Sequence, residues 1–136
     1  MEIRRYEDAD FAGLNALWSE AFPNDPPWNH AENAVPAKLA FQPELFFVAA
    51  DKAEILGSVM AGYDGHRGWL YAVAVRDSAR RNGLGTTLVR HAEKALLALG
   101  CCKVNLQVRT SNEAVVRFYE RLGYAVEDRL SLGRRL

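Results

Sequence analysis

Apolar residues change their spacing several times along the chain, and each change marks an element. Phe11, Leu14, Leu17, Trp18 and Phe22 recur every three or four positions, the period of a helix with one buried face. Asp8 or Asp10 stands where a helix cap belongs, behind a short run at 2–6 that suits an edge strand. The turn-rich stretch 23-PNDPPW-28 ends that helix, and a weaker one is expected within 29–41, where Pro36 must either start it or kink it. The apolar residues then crowd together. 44-ELFFVAAD-51 and 55-ILGSVMAGYD-64 read as two strands joined by a polar turn, hence a hairpin, and 69-WLYAVAV-75 follows the turn 64-DGHRG-68 as a third strand.

The helical period returns over 84–99, where Leu84, Leu88, Ala92, Ala95, Leu96 and Leu99 share a face and Gly100 is the stop. A further strand is predicted at 103-KVNLQV-108. Thr110 and Glu113 have the spacing of a capping box for a helix in which Val115, Phe118 and Leu122 lie together before Gly123. The tail from Tyr124 to Leu136 is expected to supply one or two last strands. This order predicts an α/β (α+β) fold over a single domain, 1–136, with a mixed, mostly antiparallel central sheet of six to seven strands and helices on both faces.

Composition removes several function classes. The 17 basic side chains equal the 17 acidic ones, so no broad field attracts nucleic acid or an anionic membrane, and any anion must be bound locally. No apolar run approaches the length that crosses a bilayer, and MEIRRYEDAD turns acidic where a signal peptide would be apolar, so a cytoplasmic protein is expected. Cys101 and Cys102 are adjacent, which suits neither a disulfide framework nor a zinc site. His30, His66 and His91 have no ligand spacing, so no metal is expected.

One loop does carry chemistry. Arg80, Arg81, Asn82, Gly83 and Gly85 lie between the strand 69–75 and the most regular helix. The first turn of a helix leaves N–H groups without intrahelical partners at the positive end of the macrodipole. Glycines uncover that backbone for phosphate oxygens, and the arginines add charge beside it. Two commoner phosphate loops do not fit. The dinucleotide fingerprint needs a third glycine at Leu88 and a strand running directly into the first; the mononucleotide loop needs Gly-Lys-Ser/Thr, and Gly85 is followed by Thr86 and Thr87.

The spacing R-x-x-G-x-G at Arg80, Gly83 and Gly85, the preceding V-A-V, and the later N-x-x-V-x-x-F-Y-x-x-x-G-Y starting at Asn112 resemble the acyl-CoA-binding core of the GCN5-related N-acetyltransferases (GNAT). With 62-GYDGHRG-68 and 130-LSLGRRL-136, the whole chain further resembles the bacterial YpeA-type group of that family. The resemblance implies acetyl-CoA as acyl donor and direct acetyl transfer to a primary amine of a small molecule or protein. It implies that the backbone of Val73, Ala74 and Val75 pairs with the pantetheine arm as an added strand. The backbone of Arg81, Asn82, Gly83, Leu84, Gly85 and Thr86 would wrap the diphosphate, with Arg80 beside it. Asn112 would bond the cofactor's arm, and Tyr119 would direct its hydroxyl at the thioester sulfur.

The base is less well marked. In the ribosomal-protein branch of the family a glutamate stands five residues before the motif asparagine; here that position is Gln107, whose amide cannot accept a proton. Asp64, His66 or a water relayed by Tyr71 are the alternatives, and an imidazole has the best-placed titration, near 6.5. Trp28, Trp69 and Tyr63 are candidates for lining the acceptor side. A non-catalytic acyl-CoA sensor on the same fold is the competing reading. The expected partners are an amine acceptor, not nucleic acid or membrane, with a homodimer left open.

Overall fold

A computed structural model of the chain describes residues 1–136. In chain order the elements are β1 (Glu2–Arg5), α1 (Phe11–Ala21), α2 (Ala31–Leu39), β2 (Phe46–Asp51), β3 (Glu54–Tyr63), β4 (Gly68–Val75), α3 (Leu84–Ala98), β5 (Val104–Asn105) and α4 (Glu113–Arg121). Residues 1–106 form one compact unit and 107–136 a second.

The first unit is organised by a five-stranded sheet in the order β1-β2-β3-β4-β5. Its first three pairings are antiparallel and the last, Gly68 and Trp69 of β4 with Val104 and Asn105 of β5, is parallel. Strand alternation serves two layers. Phe46, Val48 and Ala50 share a buried cluster with Leu14, Leu17 and Trp18 of α1 and Ala31 and Val35 of α2. Phe47 between them meets the ring of His91, on α3, edge-on at 4.5 Å. Gly57 sets how closely α3 approaches: a Cβ there would lie 2.7 Å from Leu88 Cδ1. Helices thus cover both faces.

Six to seven strands were expected and five form. The predicted strand at 103–108 shrinks to two residues, and the tail forms no ladder, leaving Val126, Leu130 and Leu132 exposed at 78%, 90% and 91%. Alternating apolar residues mark a face; they do not supply a neighbour to pair with.

Helix starts differ from expectation too. Asp10 makes no side-chain cap to α1; its carboxylate receives both guanidinium nitrogens of Arg4, at 2.8 and 2.9 Å, and the Glu7 N–H at 2.8 Å. Arg4 outcompetes the helix because a charged fork satisfies both oxygens at once. The cap of α4 is Asn112, not Thr110: the Asn112 side-chain Oδ1 accepts from Val115 N–H. Pro36 neither starts nor stops α2, which runs through it on the buried side chains of Ala31 and Val35.

Candidate active site

The loop leading into α3 has two residues in the left-handed region, Arg81 at φ +73° and Gly83 at φ +72°. The first is strained for a side-chain-bearing residue; the second is where glycine is required. Thr87 N–H makes the first intrahelical bond, to Gly83 O at 3.0 Å. The N–H groups of Leu84, Gly85 and Thr86 therefore lie in the turn that has no intrahelical acceptors. No side chain caps this end, no acidic residue occupies its first turn, and a Cβ built on Gly83 meets nothing within 4 Å. The result is an open, uncapped helix N-terminus. Arg80 is anchored beside it, donating to Val75 O at 3.4 Å and pairing with Asp77 at 3.2 Å, while Arg81 and Asn82 are exposed.

β4 has a break in its ladder just before this loop. Met60 pairs with Tyr71 and Ser58 with Ala74, so Val59 alone opposes Ala72 and Val73. That is a bulge, and Ala72 adopts φ +50° within it. The bulge is held by a buried hydroxyl. Ser58 Oγ accepts from Trp18 Nε1 at 2.9 Å and donates to Ala72 O at 2.8 Å. On its other edge β4 is paired with β5 only at Gly68 and Trp69, so the backbone of Val73, Ala74 and Val75 has no β5 partner. Nothing in the sequence singled out Ser58; only its 0% exposure and its two partners show its role.

A cavity of about 340 Å³ opens beside the same strand, between α2 and the β3–β4 hairpin, lined by Lys38, Phe41, Tyr63, Asp64, Trp69 and Tyr71 among others. Gln42 fixes the hairpin end, accepting from Tyr63 N–H at 3.0 Å and donating to Tyr63 O at 2.8 Å. Tyr63, Asp64, Trp69 and Tyr71 were legible as acceptor-side candidates; Lys38 and Gln42 were not. Trp28 lies in a separate turn, 27–29, outside the lining. A larger hollow of about 510 Å³ lies between β1, β2 and α3, and none of the sequence-predicted site residues lines it.

The candidate bases differ in chemistry. Asp64 Oδ1 accepts from His66 N–H at 2.7 Å and Arg67 N–H at 2.8 Å, and these bonds hold its carboxyl below the usual range. Burial, with the field of Asp64, raises the Tyr71 phenol. His66 is exposed on the turn and does not line the cavity.

In the second unit Tyr119 is 7% exposed, packed at 5.0 Å against Phe118 and 5.5 Å against Tyr124. Burial pushes its hydroxyl up to about 12. Gln107 donates its amide N–H to Ser131 Oγ.

An uncapped helix N-terminus thus stands behind an unpaired strand edge. The chain belongs to the acetyltransferase (GNAT) family, whose model matches residues 11–124. It is 44% identical over 136 residues, all of this chain and 96% of the relative, to acetyltransferase YE1169 of Yersinia enterocolitica. The same values hold for acetyltransferase ECA0875 of Pectobacterium atrosepticum. Its fold matches the aminoglycoside N-acetyltransferase AAC(6')-Iy in complex with CoA at a TM-score of 0.78 and 16% identity, over 98% of this chain and 93% of that one. Enzymes of this family take their acetyl group from acetyl-CoA, and the relatives are bacterial.

Proposed function

We propose that this N-acetyltransferase moves the acetyl group of acetyl-CoA directly to a primary amine bound in the cavity beside β4, with residues 1–136 acting as a single catalytic domain in the cytoplasm. The observation that carries the reading is the free edge of β4 running into the uncapped start of α3. The backbone of Val73, Ala74 and Val75 offers ladder groups to the extended pantetheine arm. The N–H groups of the loop from Arg81 to Thr86, with Arg80 alongside, receive the diphosphate; each charge-assisted bond contributes about 1.5–3 kcal/mol. Asn112, already capping α4, bonds the arm. Acetyl-CoA supplies an acetyl group activated as a thioester.

In the transfer the amine nitrogen bonds to the acetyl carbon, the carbon–sulfur bond breaks, and the sulfur leaves with its electron pair. The amine's proton leaves through water to His66, which stands on the turn beside the cavity and outside its lining. The backbone hydrogen bonds that lower Asp64 make it a poorer base, and burial keeps Tyr71 protonated. Tyr119 steadies the departing sulfur by donating a hydrogen bond. Full proton transfer from a phenol at about 12 to a thiolate near 8.5 would be uphill by about 5 kcal/mol, so the hydroxyl works without ionising.

Thiol release from acetyl-CoA, screened against amines, amino acids, polyamines and peptides, tests the reading. Tyr119→Phe should keep coenzyme A affinity and lose about a hundredfold in turnover. Undiminished turnover removes the tyrosine from the mechanism. A chain that binds coenzyme A and releases thiol with no amine would mean that the reading is wrong.

A further inference from the structure

The acceptor cavity has a polarity that acetyl transfer alone does not require. Phe41, Trp69 and Tyr71 give it flat apolar walls, and Lys38 and Asp64 are its charged side chains. Asp64 braces its own turn, one oxygen accepting from two backbone N–H groups. Lys38 is placed differently. Its ammonium is partly buried and fixed on Ala61 O at 2.5 Å, and a Cβ on Gly62 in the cavity wall would lie 4.0 Å from it. An ammonium has three donors, and Ala61 takes one. Burial lowers the pKa of Lys38 while Glu44, which does not line the cavity, counters that shift and helps keep the charge in place. A partly desolvated cation with donors to spare, beside aromatic walls, favours an anionic ligand.

We propose that the acceptor amine also carries a carboxylate, which Lys38 binds through its remaining N–H groups, and that its apolar or aromatic body lies against Trp69, Tyr71 and Phe41. The substrate class is an aminocarboxylic acid. A polyamine would set a second ammonium against Lys38, and an amine with no acidic group would add no partner for its remaining N–H groups. This deepens the acetyl-transfer reading and rests on it for the identity of the cavity.

Binding separates the two. N-acetylglycine, N-acetylleucine and N-acetylphenylalanine are compared with their amides by calorimetry on the full chain at neutral pH, with no acyl donor present. Each pair differs only at the carboxyl group, anionic in the acid and neutral in the amide. At least one acid should bind about tenfold more tightly than its amide, with Lys38→Met erasing that difference and Lys38→Arg recovering part of it. If no acid outbinds its amide in the wild type, or if Lys38→Met keeps the preference, the proposal is overturned. Tight acids without amine-dependent thiol release would support the Lys38 site and remove the transfer reading. Brisk turnover of simple amines with no preference for acids would remove the Lys38 site alone.

Discussion

The loop at 80–86 presents main-chain atoms of consecutive residues, whereas the cavity beside β4 is assembled from side chains on α2, on the segment after it, and on β3 and β4. The loop depends on backbone conformation: Gly83 at φ +72° and the uncapped N–H groups behind it would serve with many different side chains. The cavity depends on identity and register. Shifting β4 by one residue would carry Trp69 and Tyr71 to the other face. A diphosphate is the same in every acyl-CoA and needs only a fixed array of donors, but an acceptor has to be told apart from others by its side chains.

The largest expected effect comes from damaging the loop alone. Gly83→Glu forces a side chain into φ +72° and sets a negative charge where the proposed reading puts the diphosphate. Coenzyme A affinity should fall by about a hundredfold or more by calorimetry, the loss of two or so charge-assisted bonds. Binding of N-acetylated acids in the cavity should be unchanged. If both affinities fall together, the two regions are not separable in this way. Full coenzyme A affinity in the variant would take the diphosphate away from this loop.

The same difference explains what could be read from the sequence. β2, β3, β4 and α3 fall within two residues of the periods that announce them, because each buries a continuous face. The loop was legible because its signal is local: arginine and glycine spacing at a strand–helix junction. Ser58 was not, since a serine within 55-ILGSVMAGYD-64 looks like any small strand residue until Trp18, 40 positions away, is brought to it. Lys38 was equally silent, as one more charge on a weak helix. The last strands were over-read because Val126, Leu130 and Leu132 have strand-like spacing, and spacing says nothing about whether a partner edge exists. Asp10 was read as a cap because a cap is the local choice; Arg4, six residues back, takes its carboxylate instead.

Ser58 stands where the two regions join, so it tests them together. Its hydroxyl connects α1 to the bulge at Ala72 and Val73. Ser58→Ala leaves Trp18 Nε1 and Ala72 O without their partner inside the core, which should cost roughly 2–4 kcal/mol in denaturant unfolding. Turnover at saturating substrates should drop about tenfold as the bulge relaxes, because small displacements near reacting atoms are costly. Coenzyme A affinity should change little, since the loop N–H groups are set by Gly83. Normal turnover in a measurably destabilised variant would make the bulge a packing device with no part in positioning the strand.

The smallest effect should reach stability and neither site. The Asp10 carboxyl is held below its usual range mainly by the Arg4 hydrogen bonds, against the opposing effect of burial. Its ion pair with Arg4 therefore contributes fully above the unfolded carboxylate value, near 3.9, and the contribution is lost as pH falls through the lower folded value. Asp10→Asn keeps the shape and removes the charge. The variant should be less stable by about 1–2 kcal/mol at neutral pH, the gap should start to close as pH falls below the unfolded carboxylate value and vanish once pH is below the folded one, and both ligand affinities should stay at wild-type levels. A stability gap that persists unchanged in acid would mean that the carboxylate's charge is not what ties β1 to the start of α1. A change in either affinity would mean that this end of the molecule reaches the sites, contrary to the division between a loop set by its own backbone and a cavity set by α2, β3 and β4.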